Sequence, residues 1–168
     1  MPKDVRQDPA MIIEFSNALV ENAHPQEAQR LLTTEIKRTH DLTLIQAYSQ
    51  LENAQAHEQL SLFDNLSGHF SDNAIFHYAY ALTAYRAKRY EIASKHIEQS
   101  LTLKQTAEAF ALWGQILEAQ QQPRAALAAY RQSVHQISAK NTLEGDFLPL
   151  IKEQYQPLEA PSESSKNL

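Results

Sequence analysis

The sequence predicts an all-α fold, a right-handed solenoid of about four helix pairs with a C-terminal capping element, and three observations carry that expectation. Between Asn73 and Val134 one pattern occurs twice at a spacing of 33 residues. Small residues fall on small ones, Ala81 on Gly114, Ala93 on Ala126 and Ser100 on Ser133, and bulky ones match at Tyr80/Trp113, Ala84/Leu117 and Ile97/Tyr130. A period near 34 marks stacked helix–turn–helix units. The small residues matter most, because two antiparallel helices cross closely only where side chains are nearly absent; Gly114 and Ala126, twelve apart, should face each other across one such crossing. The second observation is the glycine count: three in 168 residues is too few for a turn-rich β fold. The third is that Ala, Leu, Gln and Glu, all good helix formers, dominate the chain.

Composition narrows the function. A chain of 168 residues fits one domain that buries roughly 68–70% of its unfolded surface. A net charge of −5 argues against a dedicated nucleic-acid binder, which needs a basic face. There is no cysteine, hence no disulfide, thiolate nucleophile or Cys-ligated metal. No apolar run approaches the length that spans a bilayer, and the opening Met1-Pro2-Lys3-Asp4-Val5-Arg6 lacks the apolar core of a signal peptide.

Along the chain, residues 1–7 form a flexible polar segment and the solenoid occupies 8–136, with repeats at about 8–40, 41–72, 73–105 and 106–136. Asp8-Pro9 is a helix start, a capping side chain followed by proline at the first helical position. Met11, Ile12, Phe15, Leu19 and Val20 follow at helical spacing. Pro25 opens the partner helix with Ala28, Leu31, Leu32 and Ile36, and Pro123 holds the same slot in the last repeat. Ser16 and Ala28 supply this repeat's small positions. Asp41 should cap a helix through Leu51, and a helix over 56–66 should turn Leu60, Phe63 and Leu66 inward, with the small slot near Ser61; this second repeat is degenerate. Asp72 and Thr106 are the expected caps of the last two helix pairs. After Val134 the pattern fades. Phe147, Leu148, Leu150 and Ile151 predict a short capping helix within 137–155 that covers the apolar face of the terminal repeat. Residues 156–168 hold too little apolar surface to order themselves.

The two clear units resemble tetratricopeptide repeats. Phe110, Trp113-Gly114, Leu117, Ala126 and Tyr130 fill the apolar, small and aromatic slots of one, and Tyr80-Ala81, Tyr90, Ala93 and Ile97 those of the other. The second departs from the pattern at Ala81, where glycine is usual, and at His77, where tryptophan is. Over about residues 4–134 the chain is also similar to the C-terminal half of the bacterial HemY inner-membrane family. The similarity rests on Arg6-Gln7-Asp8-Pro9-Ala10, Glu27-Ala28-Gln29-Arg30-Leu31-Leu32, Asp41-Leu42-Thr43-Leu44-Ile45, Ala107-Glu108-Ala109-Phe110 and Ala126-Leu127-Ala128-Ala129-Tyr130-Arg131. That resemblance implies a scaffold linked to haem and porphyrin biosynthesis, anchored by two transmembrane helices preceding the part seen here. The soluble domain is expected on the cytoplasmic side, with haem-biosynthesis enzymes among its partners. It brings no catalytic residues.

Such repeats bind proteins on the concave face lined by the first helix of each pair. Ile75, Tyr78, Leu82 and Tyr85 form a continuous stripe there, joined by Asn17, Glu21, Arg86, Glu108, Gln115 and Glu118. The stripe serves either as a groove for a partner peptide or as packing against the neighbouring repeat. Asn17 and Arg86 suit a clamp on a C-terminal carboxylate, but Ile13 stands where its first lysine belongs. Seven histidines raise a haem or metal alternative, with Tyr78, Tyr85 and His77 the candidates for porphyrin. No two stand at i, i+3 or i+4, however, so no metal site is expected; most fall in loops or on outer faces, and His77 is expected as a satisfied, half-buried side chain. With no glycine-flanked serine and no phosphate loop, the expectation is a non-enzymatic protein-binding scaffold without cofactor. A generic adaptor with unrelated partners is the plainer alternative.

Overall fold

The computed structural model describes residues 8–51 and 56–142, with side chains given through residue 139. Among these residues there are eight α-helices and no strand: α1 Pro9–Glu21, α2 Pro25–Thr39, α3 Leu42–Gln50, α4 Ala56–Leu66, α5 Ala74–Arg86, α6 Tyr90–Leu103, α7 Ala107–Ala119 and α8 Pro123–Thr142.

Six of the eight helices, α4 and α6 apart, begin where the sequence supplies an acceptor or a proline. Asp8 accepts from the Ala10 N–H at 2.9 Å. Asp41 accepts from Thr43 and Leu44 at 2.7 and 3.1 Å. Thr106 accepts from Ala109 at 3.2 Å. Each side chain satisfies N–H groups that have no partner inside the helix. The expected cap Asp72 is displaced by its neighbour. The Asn73 N–H is tied back to the Phe70 carbonyl, so the turn ends one residue later, and the Asn73 side chain accepts from Phe76 at 3.0 Å.

Three turns between paired helices share one backbone solution. Ala23, Lys88 and Gln121 all adopt positive φ, at 65°, 57° and 60°. In each turn the next residue's N–H reaches back along the chain: His24 to Leu19, Arg89 to Ala84 and Gln122 to Leu117, at 2.8, 2.8 and 2.9 Å. This left-handed closure satisfies carbonyls at the end of the first helix and sends the chain back antiparallel. It does so here without the glycine that normally relieves such a conformation.

The pairs α1/α2, α5/α6 and α7/α8 pack tightly. Ser16, Ala28, Ala81, Ala93, Gly114 and Ala126 are all buried. At Gly114 the tightest neighbour is Tyr130 on the facing helix: a Cβ built on Gly114 would lie 2.7 Å from Tyr130 Cζ. A second repeated contact pins each crossing. Ser100 Oγ donates to the Ala74 carbonyl at 2.9 Å and Ser133 Oγ to the Ala107 carbonyl at 2.7 Å. These acceptors are the first residues of α5 and α7, so each serine ties the second helix of a pair to the start of the first.

The second repeat departs from this plan. Helix α3 has 9 residues where α1, α5 and α7 have 13 each, and it packs on α5 more than on α4. Ser61 is exposed and bonds back to its own helix, so it does not fill the expected small slot. Buried Gln59, Phe63 and Leu66 repeat the spacing of Ala93, Ile97 and Ser100, which puts Gln59 in that slot. A glutamine is too long for a close crossing, and its amide is satisfied by donating to the Tyr48 carbonyl at 2.8 Å. Aromatic packing fills the space instead. Phe63 lies 6.3 Å from Tyr48, 5.5 Å from Phe76 and 5.1 Å from Tyr80, ring centre to ring centre.

Helix α8 runs on through Thr142, past the repeat boundary expected at 136, because nothing between Val134 and Thr142 breaks a helix. Leu127, Val134 and Ile137 on it are exposed. The expected capping cluster at 147–151 and the tail lie outside the described residues, as does the 1–7 segment.

Two stability outcomes follow. Gly114→Ala should cost about 1–3 kcal/mol by overpacking, and most of that loss should vanish in a Tyr130→Leu background; urea midpoints of the four proteins in this cycle check it. Lys88→Gly should raise stability by about 0.5–1 kcal/mol, the relief of a left-handed side-chain residue less the entropy of glycine. An unchanged or lower midpoint would count against the turn geometry.

Candidate binding groove

The first helices of the pairs, α1, α3, α5 and α7, stand side by side, and the side chains they leave free line two cavities. One, of about 350 Å³, is walled by Ile13, Asn17, Val20 and Glu21 of α1 and by Ala47, Gln50 and Leu51 at the end of α3. The other, of about 260 Å³, lies between Gln46 and Gln50 of α3, Ile75 and Tyr78 of α5, and Lys104, Thr106 and Glu108 near the start of α7. Gln50 borders both, so the cavities are neighbours along the valley that these first helices form.

The valley draws together part of the set expected from the sequence. Asn17 and Glu21 line the first cavity, and Ile75, Tyr78 and Glu108 the second. Ile75 is 44% exposed, enough to offer a contact surface. Leu82 and Tyr85 are half-buried and packed against the core, with Tyr85 also 6.1 Å from the Tyr90 ring. Arg86 is occupied: its Nη1 donates to the Ser49 carbonyl at 2.6 Å, tying α5 to the end of α3. Gln115 and Glu118 are exposed but line neither cavity, and Glu118 accepts from the Tyr130 hydroxyl at 2.8 Å.

The sequence reasoning missed Gln46, Gln50 and Lys104. The two glutamines were findable. Asp41 and Asn73 cap α3 and α5 and stand 32 residues apart; the same shift carries Tyr78 onto Gln46 and Leu82 onto Gln50.

Chemically the valley offers primary amides and a phenol at its centre and charges towards its ends. Each amide presents both a donor and an acceptor, the complement of a peptide unit. Burial, reinforced by the Glu108 carboxylate and opposed by Arg86, raises the Tyr78 phenol above its ordinary pKa of 10.0. Tyr78 therefore stays a neutral hydrogen-bond donor throughout the physiological range.

The histidines sort differently from the sequence expectation. His77 is buried, and so is His96, which the sequence reasoning grouped with loop and outer-face positions. His77 Nδ1 faces His96 Nδ1 at 2.9 Å and His77 Nε2 faces the Ser71 carbonyl at 2.8 Å, so both of its ring nitrogens are engaged. His40 and His69 stack at 4.8 Å where the first and second repeats end. Among the described residues no three His, Asp or Glu side chains stand together as a metal site would require. None of the described helices is long and apolar enough to cross a membrane.

No family profile and no curated protein matches the chain. Solved structures do. A tetratricopeptide-repeat protein of Thermus thermophilus, TTC0263, superposes with a TM-score of 0.65 at 17% identity, over 82% of this chain and 78% of that one. A crystal structure of MamA gives 0.61 at 12% identity, over 83% and 86%. MamA residues 41 to the end from Desulfovibrio magneticus RS-1 give 0.60 at 12%, over 79% and 77%. At these identities the likeness is one of fold. Paired helices at a 33-residue period, small residues at the crossings and these neighbours together make the chain a tetratricopeptide-repeat solenoid.

Proposed function

We propose that the chain is a non-enzymatic binding scaffold whose ligand is an extended peptide laid along the valley between α1, α3, α5 and α7. The observation that carries this reading is the adjacency of the two cavities on either side of Gln50. Two neighbouring cavities lined by amides suit a peptide backbone, and Tyr78 is the anchor. Tyrosine supplies apolar area and a polar tip at little entropic cost, which is why it concentrates at binding hot spots. Asn17, Gln46 and Gln50 hold the main chain, while Lys104 and Glu108 at one end and Glu21 at the other select its flanking charges.

The similarity to HemY proteins extends the proposal. On that reading the domain belongs to an inner-membrane protein linked to haem and porphyrin biosynthesis, stands on the cytoplasmic side, and gathers haem-biosynthesis enzymes. In the direct porphyrin alternative, a His77 that bound iron would exchange one of its two present contacts and its burial for the metal.

The test uses this chain as bait on solubilised bacterial membranes, beside Tyr78→Ala and Gln50→Ala variants of matched stability. Tyr78→Ala should weaken capture roughly 30-fold, the equivalent of about 2 kcal/mol at a hot spot, and Gln50→Ala by less. Equal capture by all three baits would remove the valley from the binding reaction. A valley-dependent partner set without haem-biosynthesis enzymes would leave the scaffold and remove its pathway.

A further inference from the structure

Two buried imidazoles join the helices of the third repeat. His77 on α5 and His96 on α6 place their Nδ1 atoms 2.9 Å apart, with ring centres at 5.2 Å. The Ser71 carbonyl, 2.8 Å from His77 Nε2, can only accept, so that nitrogen carries a hydrogen. In a neutral His77 ring Nδ1 is then bare, and His96 must donate to it from Nδ1. One added proton fits this arrangement: it arrives at His96 Nε2, and the shared hydrogen passes to His77. A second does not, because both Nδ1 atoms would then carry hydrogens aimed at each other.

The surroundings give that second proton little help. The Tyr80 ring covers His96 at 3.8 Å, and the Tyr80 hydroxyl is committed to Asp64 of α4. Burial, then the His77 charge and then Lys95 on α6 push His96 down to about 4, with Asp64 alone acting the other way. Helix α7, packed on α6 from the other side, brings Glu108 and Glu118, which act on Tyr78 and Tyr130 respectively and not on His96.

We propose that the His77–His96 pair is an acid-sensitive lock on the α5–α6 crossing, holding with one added proton and parting with two. When it parts, the wall that α5 gives to the valley loosens as well; that consequence rests on the peptide-binding reading, whereas the lock itself does not. The sign follows from linkage. The folded His96 is harder to protonate than an unfolded histidine near pH 6.5, so its stabilising contribution is complete above about pH 6.5 and is lost as the pH falls through the folded value. Over that window the opening constant of the pair should rise by up to about tenfold per pH unit.

Two measurements on the intact chain test it. In ¹⁵N-labelled protein near neutral pH, a coupling across the hydrogen bond should join the two Nδ1 nuclei; its absence would overturn the proposal outright. Hydrogen-exchange protection factors should then fall between about pH 6.5 and pH 4 more steeply in α5 and α6 than in α7 and α8. His96→Gln, whose amide donates to His77 but does not ionise, should flatten that difference. A wild type with no local loss, or a variant that loses protection just as steeply, would sink the lock.

Discussion

The seating of one helix of a pair against the other, at residues with almost no side chain, is the constraint on which the rest of this solenoid depends. Where Ala81 lies buried and Gly114 receives the Tyr130 ring of α8, the paired helices come near enough for Ser100 and Ser133 to reach carbonyls at the start of the partner helix. A crossing this tight leaves room only for a short turn, and the short turn forces Lys88 and Gln121 into the left-handed region. The small residues, the serine ties and the strained turns are therefore one solution seen at three places. Its turn recurs in the first repeat through Ala23, whereas in the second pair Gln59 occupies the small slot and bonds to the Tyr48 carbonyl.

That hierarchy explains what could be read in the chain. The crossings were legible because alanine and glycine recur at a fixed spacing between bulky neighbours, and the helix starts because Asp8, Asp41 and Thr106 cap by a local mechanism. The left-handed turns were not, since Ala23, Lys88 and Gln121 carry none of the glycine or asparagine that announces such a backbone. The second repeat was blurred for a geometric reason. Its α3 lies 32 residues before α5, whereas the buried pattern of α4 lies 34 before that of α6, so no single shift aligns both helices. Gln46 and Gln50 sat inside that blurred stretch, and half of the valley went unseen. His96 was invisible because its equivalents, Leu31 and Ala129, share no chemistry with it; only the fold brings it to His77.

The valley and the core use their aromatic residues differently. Tyr48, Phe63, Phe76 and Tyr80 pack on one another and fix the second repeat to the third. Tyr78, a helical step away from Tyr80, looks out between amides instead. Two tyrosines on one helix thus take different places, one in the core and one lining the valley, and that division is set by which face of α5 each occupies.

The uneven pairing of α3 and α4 also gives the molecule an uneven stiffness. The third and fourth pairs are fastened by serine ties between their helices, whereas among the described residues the second is held by ring contact and the Gln59 amide, which tolerate small rotations. Bending of the superhelix is therefore expected at its second unit, beneath Gln50, which borders both cavities. On the peptide-binding proposal, a ligand spanning the valley would bear on that joint, and the curvature of the solenoid would be set partly by its cargo.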